Sequence, residues 1–185
     1  ATESSAGRTS GPVPHPLCDK LQYIADDYEK FGGTKKSCFP DYLQQLETWC
    51  DSPFAHVKVR AVLNFVRAGK VIENLVNHQV LHVGDDGKLK DKSIANSKDV
   101  PEIFKLLQGD NKQSDAFVRF SVEIPGDPQA DLWLDPSVWD SWSKHCESMK
   151  SEKGFCFIKG EDTFLADQHP AKIRNSGDSA KLISS

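Results

Sequence analysis

The chain predicts an α+β fold, several helices with a small antiparallel sheet, on three observations. Apolar residues recur at helical spacing through the first half, most regularly over residues 62–76. A period-two alternation of apolar and polar residues runs over 116–124. Gly, Pro and Asp cluster between these segments, as short connections require. The sequence carries no internal repeat, and 185 residues suffice for one core of ordinary size.

Residues 1–16 are rich in Ser, Gly and Pro and read as a flexible or partner-ordered segment. A mainly helical part over 17–110 follows, then an α+β part over 111–185 with a strand, a Trp-rich helix and a hairpin. Leu17, Leu21, Ile24, Tyr28 and Phe31 share one helical face, and Gly32 with Gly33 supplies the stop. A second helix starts near Pro40, carries Leu43, Leu46 and Cys50 inward, and ends at Pro53. The third turns Val62, Phe65, Val66, Gly69, Ile72 and Val76 to one side. Arg60, Asn64, Arg67, Lys70 and Asn74 fall on its other side, and Gly69 is the expected break or kink. Residues 80–83 and 88–89 flank Gly84-Asp85-Asp86-Gly87 as a small hairpin. Ser97 precedes a short helix over 100–108, and the polar run 109–115 reads as a surface loop.

In the α+β part, Ala116, Val118, Phe120, Val122 and Ile124 form one face of a strand against Arg119, Ser121 and Glu123, with Phe117 on the polar side. Pro125-Gly126-Asp127-Pro128 turns the chain. Asp135-Pro136 opens a helix whose Trp139, Trp142, Cys146 and Met149 make one inward stripe, closed by Gly154. A terminal hairpin pairs 155–158 with 163–165 around Lys159-Gly160-Glu161-Asp162.

A hydrophobic share of 38% and a charged share of 27% are those of a soluble globular chain, and no apolar run reaches membrane-spanning length. The start, Ala1-Thr2-Glu3-Ser4-Ser5-Ala6, lacks a signal peptide's basic and apolar segments and an initiator Met; a cytoplasmic location is expected, with a first residue set by cleavage. Five cysteines, an odd number without close pairing, suit reduced thiols. His145, Cys146, Cys156 and His169 show no ligand-pair spacing, so they read as buried thiols and surface imidazoles, and neither metal nor cofactor is expected. No nucleophile elbow, phosphate loop or metal-hydrolase motif occurs, so no catalytic residue is assigned.

A net charge of −4 argues against a chain that coats nucleic acid everywhere but leaves room for one basic face. Residues 53–72 hold Lys58, Arg60, Arg67 and Lys70 and no acid; Arg60, Arg67 and Lys70 are the candidates to meet phosphates, against the plainer reading of a solvated helix face. Lys172, Arg174 and Lys181, among Asn175, Ser176, Gly177 and Ser184, suit phosphate or sugar contacts or an ordinary exposed loop. Arg8, Ser10 and Lys20, with Thr9, are material for groove contacts or for an unremarked N-terminal loop. The acids Asp26, Asp27 and Glu29 read as helix surface facing Lys30, Lys35 and Lys36. Trp133, Trp139 and Trp142 read as core, with base stacking the alternative.

Four strings carry a family likeness: 8–11 (RTSG), 17–23 (LCDKLQY), 132–139 (LWLDPSVW) with 154–161 (GFCFIKGE), and the closing 169–185 (HPAKIRNSGDSAKLISS). Together they resemble the large subunit of the type I-C CRISPR effector complex, the RNA-guided DNA-surveillance assembly called Cascade, departing from it where Lys20 replaces an Asn. The resemblance implies an incomplete domain of a larger subunit, without its beginning and its C-terminal helical bundle. It also implies a non-catalytic role in antiviral defence: protospacer-adjacent-motif recognition and binding of target double-stranded DNA beside the crRNA. Other Cascade subunits and a recruited helicase-nuclease are the implied partners, with no membrane. On that likeness Arg60, Arg67, Lys70, Lys172, Arg174 and Lys181 become duplex contacts, and Arg8, Ser10 and Lys20 lie nearer the motif. The other reading is a protein-interaction scaffold that docks Cascade subunits or the helicase-nuclease without touching DNA.

Overall fold

The computed structural model describes residues 13–90, 100–107, 112–157 and 160–164. Among them are six α-helices and two two-stranded antiparallel sheets, the α+β content that the sequence predicts. In chain order these are β1 (Asp19–Lys20), α1 (Leu21–Ile24), α2 (Phe39–Asp51), α3 (Val57–Arg67), α4 (Val71–Asn77), α5 (Glu102–Leu106), β2 (Phe117–Val118), α6 (Pro136–Met149), β3 (Lys153–Cys156) and β4 (Glu161–Phe164).

The first predicted helix is broken. Leu17, Leu21, Ile24, Tyr28 and Phe31 are all buried, but the backbone passes through β1, one turn of α1 and a 3-10 turn at Asp26–Tyr28. Two carboxylates divert it. Asp19 is fully buried and accepts the His15 amide at 2.8 Å. Asp27, expected on the surface, is also buried and accepts the amides of Ile72 and Glu73 at 3.1 and 2.8 Å, satisfying the open N–H groups of α4. The stop falls where expected: the ring of Tyr28 lies so close to Gly33 that an added Cβ would stand 2.2 Å from Tyr28 Cε1.

Helix α2 follows its pattern. Pro40 sits in the first turn, and Tyr42, Leu46, Trp49 and Cys50 are buried, with Leu43 partly so. The long third helix is two, α3 and α4, parted at Gly69, whose φ of +68° an L side chain adopts only under strain. Val62, Val66 and Ile72 are buried as predicted; Phe65 instead remains 42% exposed, its ring 6.3 Å from that of Phe120. Burying each aliphatic side chain of this core stabilises the fold by about 1.5–3 kcal/mol before conformational entropy is charged.

Predicted strands are mostly extended chain with little ladder. The 80–89 hairpin reduces to one bridge, Val83 to Leu89, which the side chain of Gln113 completes. Its amide donates to the carbonyls of His82 and Lys90 and accepts the His82 N–H, all at 2.8–2.9 Å. The loop expected at 109–115 is therefore partly interior, with Gln113 fully buried and Ser114 nearly so. Over 116–124 the alternation holds: Ala116 is buried, Val118, Phe120, Val122 and Ile124 are half-buried, and the residues between them are exposed. Only Phe117–Val118 pairs as a strand, with Lys20 opposite Phe117; bridges at Ser121–Asp131 and Ile124–Asp127 close the rest around the expected turn.

Helix α6 begins as predicted, with the Asp135 carboxylate accepting the Ser137 amide at 2.9 Å and Pro136 in the first turn. Its buried face is rotated from the apolar stripe: Val138, Ser141 and His145 point inward, whereas Trp139 is 51% and Met149 58% exposed. Polar demand sets the rotation. Trp49 donates its indole N–H to Ser141 Oγ at 2.9 Å, and Ser141 in turn donates to the Phe54 carbonyl. The helix ends at Met149 rather than at Gly154, which lies in β3 opposite Thr163. The terminal hairpin pairs Lys153–Cys156 with Glu161–Phe164, each strand starting two residues earlier than predicted, and leaves Phe155 and Phe157 exposed with their rings 5.4 Å apart.

Candidate nucleic-acid interface

Residues 58, 62 and 66 are separated by four, so Lys58 falls on the same face of α3 as Val62 and Val66. Lys58 is accordingly no part of a basic surface. Its ammonium is 1% exposed and meets Asp135 at 2.5 Å, Asp127 at 2.7 Å and the Gln129 carbonyl at 2.5 Å. The hydrogen bonds that its ammonium donates to Asp127 and Asp135 raise the lysine above its ordinary value. Burial pushes the Asp135 carboxyl up, but the Lys58 ammonium and the Ser137 hydroxyl and amide outweigh it and hold it at about 2. Lys58 thus clamps α3 to the 124–135 hairpin and the start of α6. The helical register of Lys58 was the signal, and reading charge alone missed it.

Arg60 and Arg67, seven residues apart, both stand on the exposed side of α3 about 10 Å apart along its axis. Each is held within the chain: Arg60 Nη2 donates to the Cys50 carbonyl at 2.9 Å, and Arg67 Nη2 meets Glu47 at 2.8 Å. Lys70, beyond the end of α3, meets Glu73 at 3.3 Å, and Lys30 reaches the other oxygen of that carboxylate at 3.4 Å. Lys70 first and then Lys30 hold Glu73 below the usual carboxylate range. The structure therefore brings Arg60, Arg67 and Lys70 to the surface as predicted and adds two acids, Glu47 and Glu73, among them. An exposed pair such as Arg67–Glu47 opens at a cost of only about 0–1 kcal/mol, so a phosphate can compete for the guanidinium.

Lys20 lies elsewhere, on β1. Its register partner is Phe117, so the two side chains share one face of the ladder, and Arg119, two residues on, shares it too. The Arg119 guanidinium sits 5.2 Å over the ring of Trp133. Phe117 and Trp133 line a cavity of about 450 Å³ with Trp49, Trp139 and Trp142. Of the three tryptophans read as core, with base stacking the alternative, Trp142 packs half-buried against the core, whereas Trp139 is 51% exposed because α6 is rotated toward Ser141; all three border the cavity.

Arg8, Ser10, Lys172, Arg174 and Lys181 lie outside the described residues. Among the described residues no group of three His, Cys, Asp or Glu side chains is placed to hold a metal, and no helix is long and apolar enough to cross a membrane. His145, expected as a surface imidazole, is 3% exposed beside Trp49 and Trp142, and burial lowers it from its ordinary value. Burial pushes the Cys18 and Cys50 thiols up, which disfavours their thiolates.

A family model described as CRISPR-associated protein (Cas_Csd1) matches residues 2–185. No curated protein and no solved structure matches the chain.

Proposed function

The chain belongs to the CRISPR-associated Csd1 family, the large subunit of the type I-C Cascade, and so to proteins that assemble with other CRISPR components; from that premise we propose that it is a non-catalytic, cytoplasmic nucleic-acid-binding component that helps recognise the protospacer-adjacent motif and hold target double-stranded DNA. The observation that carries the reading is the exposed side of α3, where Arg60 and Arg67 project two turns apart from a segment with no acid in its own sequence over 53–72. That spacing suits successive phosphates of one strand, bound without regard to sequence. Lys20 and, from the sequence alone, Arg8 and Ser10 are assigned nearer the motif, with Lys172, Arg174 and Lys181 as further backbone contacts beside the crRNA. Base pairing by the guide reads the remaining target, and cleavage falls to a recruited helicase-nuclease.

A specific observation favours a second reading. Arg60, Arg67 and Lys70 each already hold a partner within the chain, and Phe155 and Phe157 stand exposed on the β3–β4 hairpin. A docking scaffold for other Cascade subunits or the helicase-nuclease has these properties. Target-DNA binding by the assembled complex over a series of salt concentrations, with and without the α3 cations, separates the two: loss of affinity and salt dependence belongs to the DNA contact, and unchanged binding belongs to the scaffold.

A further inference from the structure

All four tryptophans of the chain, Trp49, Trp133, Trp139 and Trp142, line a single cavity of about 450 Å³ together with Phe117, His15 and Ser143. That volume lies within the range of small-ligand sites. Trp49 is fully buried, while Trp139 and Phe117 are each 51% exposed, so the aromatic surface runs from the interior to the mouth. Leaving that much ring surface open to water is unfavourable unless something stacks there.

Charge separates the possible occupants. No Asp or Glu lines the cavity. Two cations stand on the ladder face shared with Phe117: Lys20 directly opposite it, and Arg119 two residues along with its guanidinium over Trp133. Aromatic faces interleaved with cations are what a single strand requires, because each base offers a π-face and each linkage a negative charge. A bare apolar side chain from a protein would use the rings but leave the two cations without a counterpart. We propose that this cavity is a stacking site for an unpaired base of single-stranded DNA, with Lys20 and Arg119 holding the adjoining phosphates. The proposal rests on the nucleic-acid reading and adds to it a subsite that no residue of α3 lines.

Because every tryptophan borders the cavity, intrinsic emission reports on its occupancy. The test titrates the purified chain with a short oligothymidylate and with an abasic oligonucleotide of equal length. Saturable quenching by the first, and much weaker binding of the second, is expected. Trp133→Leu should weaken the oligothymidylate about 5- to 150-fold, the loss of one stacked base. Arg119→Ala changes an exposed residue and should flatten the salt slope by roughly 0.7. Equal binding of both oligonucleotides would overturn the base site and leave only phosphate contact. Absence of quenching while the assembled complex still binds duplex would sink the subsite and spare the nucleic-acid reading; no DNA binding by the complex would sink both. Quenching by another Cascade subunit without DNA would reassign the cavity to a protein partner.

Discussion

The ammonium of Lys58 lies 2.5 Å from Asp135 Oδ2 with both side chains withdrawn from water, 1% and 5% exposed. Asp135 also caps α6 through Ser137. One carboxylate therefore joins α3, the 124–135 hairpin and α6. Removing the lysine leaves that carboxylate buried with its charge uncompensated. Lys58→Ala is expected to lower the urea midpoint more than any of the exposed lysine substitutions, Lys70→Ala or Lys144→Ala, and to leave the salt slope of DNA binding unchanged. Equilibrium unfolding followed by circular dichroism measures the first part.

The same contact gives stability a pH dependence with a known sign. Asp135 titrates near 2 folded and near 3.8 free, so its contribution is complete above about 4 and is lost as the pH falls toward 2. His145 acts earlier: burial depresses its folded value below 6.5, the unfolded chain takes up the proton first, and stability declines as the pH falls through that point. Two declines are expected in the unfolding midpoint against pH. His145→Phe should remove the one near neutrality and Lys58→Ala should flatten the acid one. Thermal scans across this range check both.

Trp49 is fully buried and donates its indole N–H to Ser141. Ser141→Ala strands that donor and also deletes the bond to the Phe54 carbonyl, at a cost of about 1–3 kcal/mol. Trp49→Phe in the Ser141→Ala background should cost less than the two changes summed, because the donor is then gone. A double-mutant cycle by urea denaturation measures this coupling.

Gln113 supplies three hydrogen bonds that the 80–89 hairpin does not make for itself. Gln113→Ala should destabilise the fold by about 1–3 kcal/mol and speed amide exchange at His82 and Lys90 before other backbone positions. Native-state hydrogen exchange shows whether the loosening is local.

These same residues mark where sequence legibility stops. Period and turn chemistry suffice for α2, the Asp135-Pro136 start of α6, the break at Gly69 and the alternation over 116–124, because each rests on neighbours in the chain. The rotation of α6, the interior Gln113, the capping Asp27 and the buried Lys58 rest on partners far along the chain: Trp49, the 82–90 bridge, the N-terminus of α4 and Asp135. Polar residues were read as surface by type, and here satisfied hydrogen bonds brought them inside. Arg60, Arg67 and Lys70 were legible as exposed, but the acids beside them were not, since Glu47 lies on α2 and Glu73 on α4. Lys20 was legible only as a charge; its place beside Phe117 and the tryptophan cavity depends on the β1–β2 register.

The most direct measurement is the affinity of the reconstituted complex for target duplex DNA at several salt concentrations, with the large subunit unaltered or carrying Arg60→Ala, Arg67→Ala and Lys70→Ala together. If the exposed side of α3 meets the phosphate backbone, binding weakens on every sequence and the slope of log affinity against log salt falls by about one for each phosphate no longer neutralised. Identical affinity and slope in both complexes would contradict the account and assign this surface to protein docking.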